Sequence, residues 1–180
     1  MGNPRDREIK IKCGQETEQL PKGRKTMKAE EARLRPGRPE DQAVIRRMVH
    51  QARLNPLGLH WSRFWVVEVA GRVVGAVQIR QHRDGSRELA SLVVDPAWRG
   101  RGLGSMMVRA LLAQEPGPLY LICRTELEGF YQRFGFQRVS RPEMPPFFRW
   151  VDRLARWLRR SVVVMRWEPA RASTDRPDEG

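Results

Sequence analysis

The sequence predicts an α/β domain built on a mixed, mostly antiparallel central sheet flanked by helices. Three observations carry this expectation. Short apolar runs of strand character alternate with runs of helical period between residues 32 and 168. Three consecutive strands are joined by the tight turns Ala70-Gly71-Arg72 and Asp84-Gly85, which makes an antiparallel meander. A strand, a helix and another strand then follow at a spacing that demands a parallel crossover.

The elements follow in order. Residues 32–35 suit a short strand. Pro39 opens a helix where its missing N–H costs nothing, with Glu40 and Asp41 at the positive end of the dipole. Val44, Ile45, Met48, Val49 and Ala52 recur at helical spacing, and Asn55-Pro56-Leu57-Gly58 ends the run. Strands are expected at 64–69, 73–81 and 88–94, the last stopped by Asp95-Pro96. Leu103, Met106, Met107, Ala110 and Leu111 mark the crossover helix, and Glu115-Pro116-Gly117-Pro118 closes it. An apolar strand at 119–123, a short helix near 127–134 and strands at 136–139 and 161–167 complete the set.

The chain has 180 residues and a formal net charge of +13. All five lysines precede residue 32, and every basic side chain from 32 to 168 is arginine. The compositional break divides the chain into a disordered basic leader (1–31), a folded domain (32–168) and a disordered tail (169–180). Met27 is an alternative natural start. No run has the length of a membrane span, the N-terminus lacks the apolar stretch of a secretory signal, and the acids of the leader argue against an organellar transit peptide. Cys13 and Cys123 make neither a disulfide framework nor a metal cluster, which favours a reducing compartment, the cytoplasm. His50, His60 and His82 lack ligand spacing, so no metal is expected.

The segment from Leu92 to Ser105 is the most informative. A strand (Leu92-Val93-Val94) ends, a short loop follows, and Gly100, Gly102 and Gly104 run into a helix. Glycines admit a ligand close to the backbone, and a helix start presents unpaired N–H donors at its positive end. That combination suits a pyrophosphate. The even glycine spacing departs from a dinucleotide fingerprint, and the absence of Gly-Lys-Ser/Thr excludes a nucleotide P-loop.

Arg99-x-x-Gly102-x-Gly104 resembles the acyl-CoA loop of the GCN5-related N-acetyltransferases (GNAT), an acyl-CoA N-acyltransferase fold. Gly129-Phe130-Tyr131-Gln132-Arg133-Phe134-Gly135-Phe136 resembles that family's second motif, in the expected order with one strand between. The resemblance implies an acyltransferase that moves the acetyl group of acetyl-CoA to a primary amine by direct attack in a ternary complex. It implies that the backbone of Arg99, Gly100, Arg101, Gly102, Leu103 and Gly104, with Ser105, holds the pyrophosphate. It further implies that the freed backbone of Leu92, Val93 and Val94 binds pantetheine and polarises the thioester carbonyl.

By the same resemblance Tyr131 is the general acid for the thiolate, the alternative being a tyrosine that packs under Gly135-Phe136. Glu88 stands at the offset of the base glutamate in the family's histone acetyltransferases, on the face expected to carry Ala90, Leu92 and Val94; the alternative is a solvated ion-pair partner. Arg124 stands where many members carry a CoA-contacting asparagine, which leaves that contact open.

Residues 147–160 form a basic amphipathic helix, with Phe147, Trp150, Val151, Leu154, Trp157 and Leu158 in one stripe. It is read as laid over the sheet with its arginines in solvent, in preference to lying on an anionic lipid surface. Segments 57–65 and 143–150 are expected to line the acceptor pocket. The competing functions are a non-catalytic acyl-CoA sensor on the same fold and a basic nucleic-acid-binding module. The latter lacks aromatic, zinc or recognition-helix signatures, so no nucleic acid is expected. The acceptor's identity and the oligomeric state are left open.

Overall fold

The structure is a computed structural model and describes residues 9–10 and 32–169. The expected leader and tail lie otherwise outside the described residues, as do Cys13 and Met27. Eight strands form one sheet: β1 (Ile9–Lys10), β2 (Arg33–Pro36), β3 (Phe64–Val69), β4 (Arg72–Gln81), β5 (Arg87–Val94), β6 (Leu119–Arg124), β7 (Gln137–Arg138) and β8 (Val162–Trp167). Their order is β1-β2-β3-β4-β5-β6-β8-β7. Every pairing is antiparallel except β5 with β6. The sheet is therefore mixed and mostly antiparallel. The last strand inserts between β6 and β7, a placement that the order of elements alone does not reveal.

Among the described residues four helices cover the sheet: α1 (Gln42–Gln51), α2 (Leu103–Leu112), α3 (Glu128–Gln132) and α4 (Pro146–Trp157). Pro39 starts a single 3-10 turn before α1 rather than the helix itself. Helices α2 and α3 lie on one face, where Met107, Val108, Leu111, Tyr131 and Phe136 pack with Val77, Leu89 and Leu121. Helix α1 lies on the other, where Ile45, Met48 and Val49 pack with Phe64, Val66, Ala76 and Val93. Helix α4 shares that second face, because Phe148 packs with Val139, Met144 and Val164, and against them Tyr120 and Ile122. Alternation along β6 explains the split: Leu119, Leu121 and Cys123 face α2 and α3, whereas Tyr120 and Ile122 face α4.

Two further sequence expectations are corrected. First, β5 does not alternate throughout. Ser91 has φ +54°, and the register with β4 shifts there, so Ser91 and Leu92 oppose the single residue Val77. The extra residue is a β-bulge that reverses the phase of the strand. Glu88 pairs across from Arg80 and Ala90 from Gln78, and beyond the bulge Val93 joins Ala76 on the α1 face. Leu92 and Val94 turn to the α2 face instead.

Second, α4 does lie over the sheet, but not on the expected stripe. Its buried residues are Phe148, Asp152 and Ala155, at spacings of four and three. Phe148 fills the gap above β8, the small Ala155 allows close approach, and Asp152 is held by Arg156 at 2.8 Å and Arg141 at 3.7 Å. Trp150, Leu154, Trp157 and Leu158 are left exposed.

The α1 end of the sheet is fastened by a buried guanidinium. Arg35 on β2 donates from Nη1 to Asp41 Oδ2 (2.7 Å), from Nη2 to Asp41 Oδ1 (3.1 Å) and from Nε to Glu68 Oε2 (2.8 Å). Asp41 Oδ2 also accepts the Arg38 N–H at 2.7 Å, closing the turn that leads into α1. One cation thus joins β2, β3 and the start of α1.

Candidate functional site

The parallel pair β5–β6 shares one register position, Glu88 opposite Tyr120. β5 stays bonded to β4 as far as Val94, and β6 stays bonded to β8 along its length. Past Leu89 the two strands therefore part, leaving a wedge that opens toward the end of β5. The β5 backbone of Leu92, Val93 and Val94 borders this wedge.

The glycine loop continues from that edge. Asp95 accepts the Ala97 N–H at 2.9 Å, and its own N–H bonds Val74 O at 2.9 Å, which pins the exit of β5. Gly100 (φ +74°) and Gly102 (φ +77°) take left-handed backbone that other residues adopt at a cost. Gly102 is the N-cap of α2. The first bond of the helix is Met106 N–H to Gly102 O at 2.9 Å, so the N–H groups of Leu103, Gly104 and Ser105 precede the intrahelical ladder. A Cβ on Gly102 would have no heavy atom within 4 Å, and one on Gly104 would meet only Phe130 Cζ at 3.7 Å. Open space over a row of N–H donors at a helix start fits an anionic phosphate. Arg99 donates to Val94 O at 3.2 Å, and Arg101 stacks over Trp98 at 4.6 Å. The two arginines thus brace the loop while keeping positive charge beside it.

Tyr131 on α3 lies on the α2–α3 face of the wedge. It is 7% exposed, and its ring meets Phe130 at 4.9 Å and Phe136 at 5.9 Å, both edge-on. Packing under the Gly135-Phe136 turn is therefore real. Burial, with Cys123 nearby, pushes the phenol's pKa well up, so it keeps its proton across the working range. Burial likewise pushes the Cys123 thiol up to about 11, so that it is not a thiolate nucleophile.

Glu88 lies on the opposite face. Its Oε2 is 3.0 Å from His82 Nε2, and both side chains are nearly enclosed. An ionised carboxylate can only accept, so in that state His82 Nε2 carries the shared proton. Burial raises the Glu88 pKa, while Arg80 and His82 pull it back. His82 is itself stacked on Phe147 at 3.5 Å and edge-on to Phe148 at 5.7 Å. Asp84 Oδ2 accepts the Phe147 N–H at 3.0 Å and so ties the start of α4 to the β4–β5 hairpin. The floor beside Glu88 is polar: Gln78 bonds Ser91 Oγ at 2.9 Å, and Arg80 donates to Leu57 O. Segments 57–65 and 143–150 do flank this side through Leu57 and Phe147, but Trp150 points outward.

His82 was missed in the sequence, where it is one of three scattered histidines. The hairpin could have located it. Arg80 pairs with Glu88, so His82, two residues on along the same face, is a diagonal neighbour of Glu88. Arg124 is exposed and pairs with Glu126 at 3.7 Å, at the open end of β6. Among the described residues no group of three or more His, Cys, Asp or Glu could hold a metal ion.

Comparisons with known proteins agree with this geometry. Residues 60–138 match the acetyltransferase (GNAT) domain. The chain is 36% identical over 77 residues to the mycothiol acetyltransferase of Acidothermus cellulolyticus, covering 41% of this chain and 24% of that protein. Among solved structures, N-acetylglutamate synthase from Neisseria gonorrhoeae, complexed with coenzyme A and N-acetyl-glutamate, aligns with a TM-score of 0.63 at 20% identity, over 78% of this chain and 35% of that one. The ribosomal-protein-S18-alanine N-acetyltransferase from Escherichia coli aligns with a TM-score of 0.58 at 15% identity, over 80% of this chain and 97% of that one. The chain thus spans about a quarter of the curated relative and about a third of the first structure. The structural likeness is one of fold, and the family match covers both motif segments, from before β3 to the end of β7. Over residues 60–138, which hold both motif segments, the chain is thus similar to the acetyltransferase (GNAT) domain.

Proposed function

We propose that this domain transfers the acetyl group of acetyl-CoA to a primary amine by direct attack within a ternary complex. The observation that carries the proposal is the wedge between β5 and β6. It begins at the Glu88–Tyr120 pair and runs into the N-terminus of α2, with Glu88 on one face of the sheet and Tyr131 on the other. Attack on a thioester needs a proton removed from the amine and a proton delivered to the departing sulfur. The two groups suited to those tasks approach the wedge from opposite sides.

In this reading the N–H groups of 103–105 and the loop 99–102 hold the pyrophosphate, and the β5 edge at Leu92–Val94 holds the pantetheine arm. A backbone N–H on that edge stabilises negative charge developing on the thioester oxygen. Glu88, oriented by His82, takes the proton from the ammonium or from an intervening water. Tyr131 gives its proton to the sulfur as the C–S bond breaks, and the second proton shed by the acylated nitrogen restores the phenol through solvent. The acceptor enters on the α1–α4 side, where Arg80 and Arg63 both close on Gly58. That positive lining favours an amine that also carries a carboxylate over a polyamine.

Calorimetric titration of acetyl-CoA into the protein tests the cofactor half, and thiol release against a panel of amines tests the transfer. Saturable binding with acceptor-dependent thiol release supports the proposal. Binding without release to any amine would identify a sensor of acyl-CoA, and no binding would sink the reading.

A further inference from the structure

The outward face of α4 has an unusual composition. Trp150 is 61% exposed, Trp157 78%, Leu154 37% and Leu158 47%. At 100° per residue these four occupy one continuous stripe, and among the described residues nothing covers it. The next sector of the helix carries Arg149, Arg153 and Arg156, and Arg160 follows just past its end; all four are exposed. The third sector holds Phe148, Asp152 and Ala155 against the sheet. The only acid of the helix is thus buried and neutralised by Arg156 and Arg141, so the exposed surface is purely cationic and apolar.

A soluble face does not need two tryptophans at such exposure, since a contiguous apolar patch in water is unfavourable and invites association. The occupant can be inferred from charge. A stripe of Trp and Leu with arginines along one flank matches a bilayer interface, where indole rings sit at headgroup level and arginines meet phosphates. Helix α4 is short for a membrane anchor, but it is held rigidly by the core beneath Phe148. Its ordering entropy has therefore been met by folding and is not charged to binding. The net charge of +13 adds long-range attraction to an anionic surface.

We propose that the Trp150–Trp157 face of α4 seats the protein on an anionic lipid bilayer. The four apolar side chains enter the interface, and Arg149, Arg153 and Arg160 contact lipid phosphates. The inference is independent of the acetyl-transfer reading.

Cosedimentation of the full chain with vesicles tests it, comparing phosphatidylcholine vesicles with and without phosphatidylglycerol. The W150S/W157S double variant changes only exposed side chains, so its circular dichroism should match the parent. The expected result is binding to the anionic vesicles alone, weakened by salt and at least about tenfold weaker in the double variant. An R149Q/R153Q variant should also lose affinity for anionic vesicles. Failure of the parent chain to sediment with anionic vesicles would overturn the proposal, as would equal binding by the tryptophan variant. Self-association of the parent chain that the tryptophan variant abolishes, without vesicle binding, would assign the face to a second copy and overturn it equally.

Discussion

His82 Nε2 lies 3.0 Å from Glu88 Oε2 at the last point where β5 and β6 still pair. The contact fixes the carboxylate at the mouth of the wedge, and it is supported from outside by Phe147, stacked on the imidazole at the start of α4. Glu88 is buried and hydrogen-bonded rather than solvated, which suits the general-base role proposed for it.

The pH profile follows from this environment. In the proposed role Glu88 must be ionised, so activity should fall as pH drops through its pKa. Burial raises that pKa above the ordinary 4.5, and the acid limb should lie correspondingly above that of a solvated glutamate. His82 acts to lower the value, so His82→Ala should move the limb to higher pH. Glu88→Gln should reduce kcat by about 10²-fold and abolish this limb. A Glu88→Gln profile superimposable on the parent's would remove Glu88 from the reaction.

Tyr131 can be tested without disturbing the core. Tyr131→Phe keeps the ring between Phe130 and Phe136 and removes only the hydroxyl. The expected result is a fall in kcat of about 10²-fold with acetyl-CoA affinity within about twofold of the parent. Steady-state kinetics beside calorimetry separates the two. An acyl donor with a more acidic thiol, which leaves without a proton, should recover most of the loss.

The glycine loop makes a graded prediction. The site of a Cβ on Gly104 has only Phe130 Cζ near it, at 3.7 Å, so Gly104→Ala should fold normally and bind acetyl-CoA at most about tenfold more weakly. Gly104→Glu places a carboxylate over the N–H groups proposed to hold the phosphate and should abolish binding. Equal binding by all three proteins would move the pyrophosphate elsewhere. Gly102→Ala differs in kind, because φ +77° at the N-cap penalises any side chain by about 1 kcal/mol, and stability should fall along with affinity.

These expectations rest on features of unequal legibility. The glycines, the meander and the crossover are local, and they could be read because turn residues and period act over a few positions. Strand β3 was legible to the residue, and β4, β5 and β6 to within a residue. The bulge was not, since Ser91 shows no glycine or asparagine to mark its positive φ. The Glu88–His82 contact was within reach, because hairpin register fixes it, but only once the turn at Asp84-Gly85 was used to count pairs. The orientation of α4 was beyond reach. An apolar stripe of Trp and Leu outranks Phe148, Asp152 and Ala155 by hydrophobicity, yet the latter face fits the space above β8. The insertion of β8 between β6 and β7 depends on long-range pairing that no local signal encodes.

The buried cation at the other end of the sheet makes the clearest stability prediction. Arg35 and Asp41 are joined by two bonds and are both enclosed, so Asp41→Asn leaves a guanidinium underpaired in the core. Removing one partner of such a pair costs about 3–5 kcal/mol, which urea denaturation would resolve. The pH dependence carries its own sign. Burial alone would raise the Asp41 pKa, but hydrogen bonds from Arg35 and from the Arg38 backbone outweigh it and hold the carboxyl below its ordinary 3.8. A depressed pKa means that the stabilisation is fully present above that ordinary value and is lost as pH falls through the lower, folded-state value. The difference in unfolding free energy between the parent and Asp41→Asn should therefore be constant near neutrality and shrink only below pH 3.8. A difference that stays constant into that acid range would mean that Asp41 acts through packing and not through its charge.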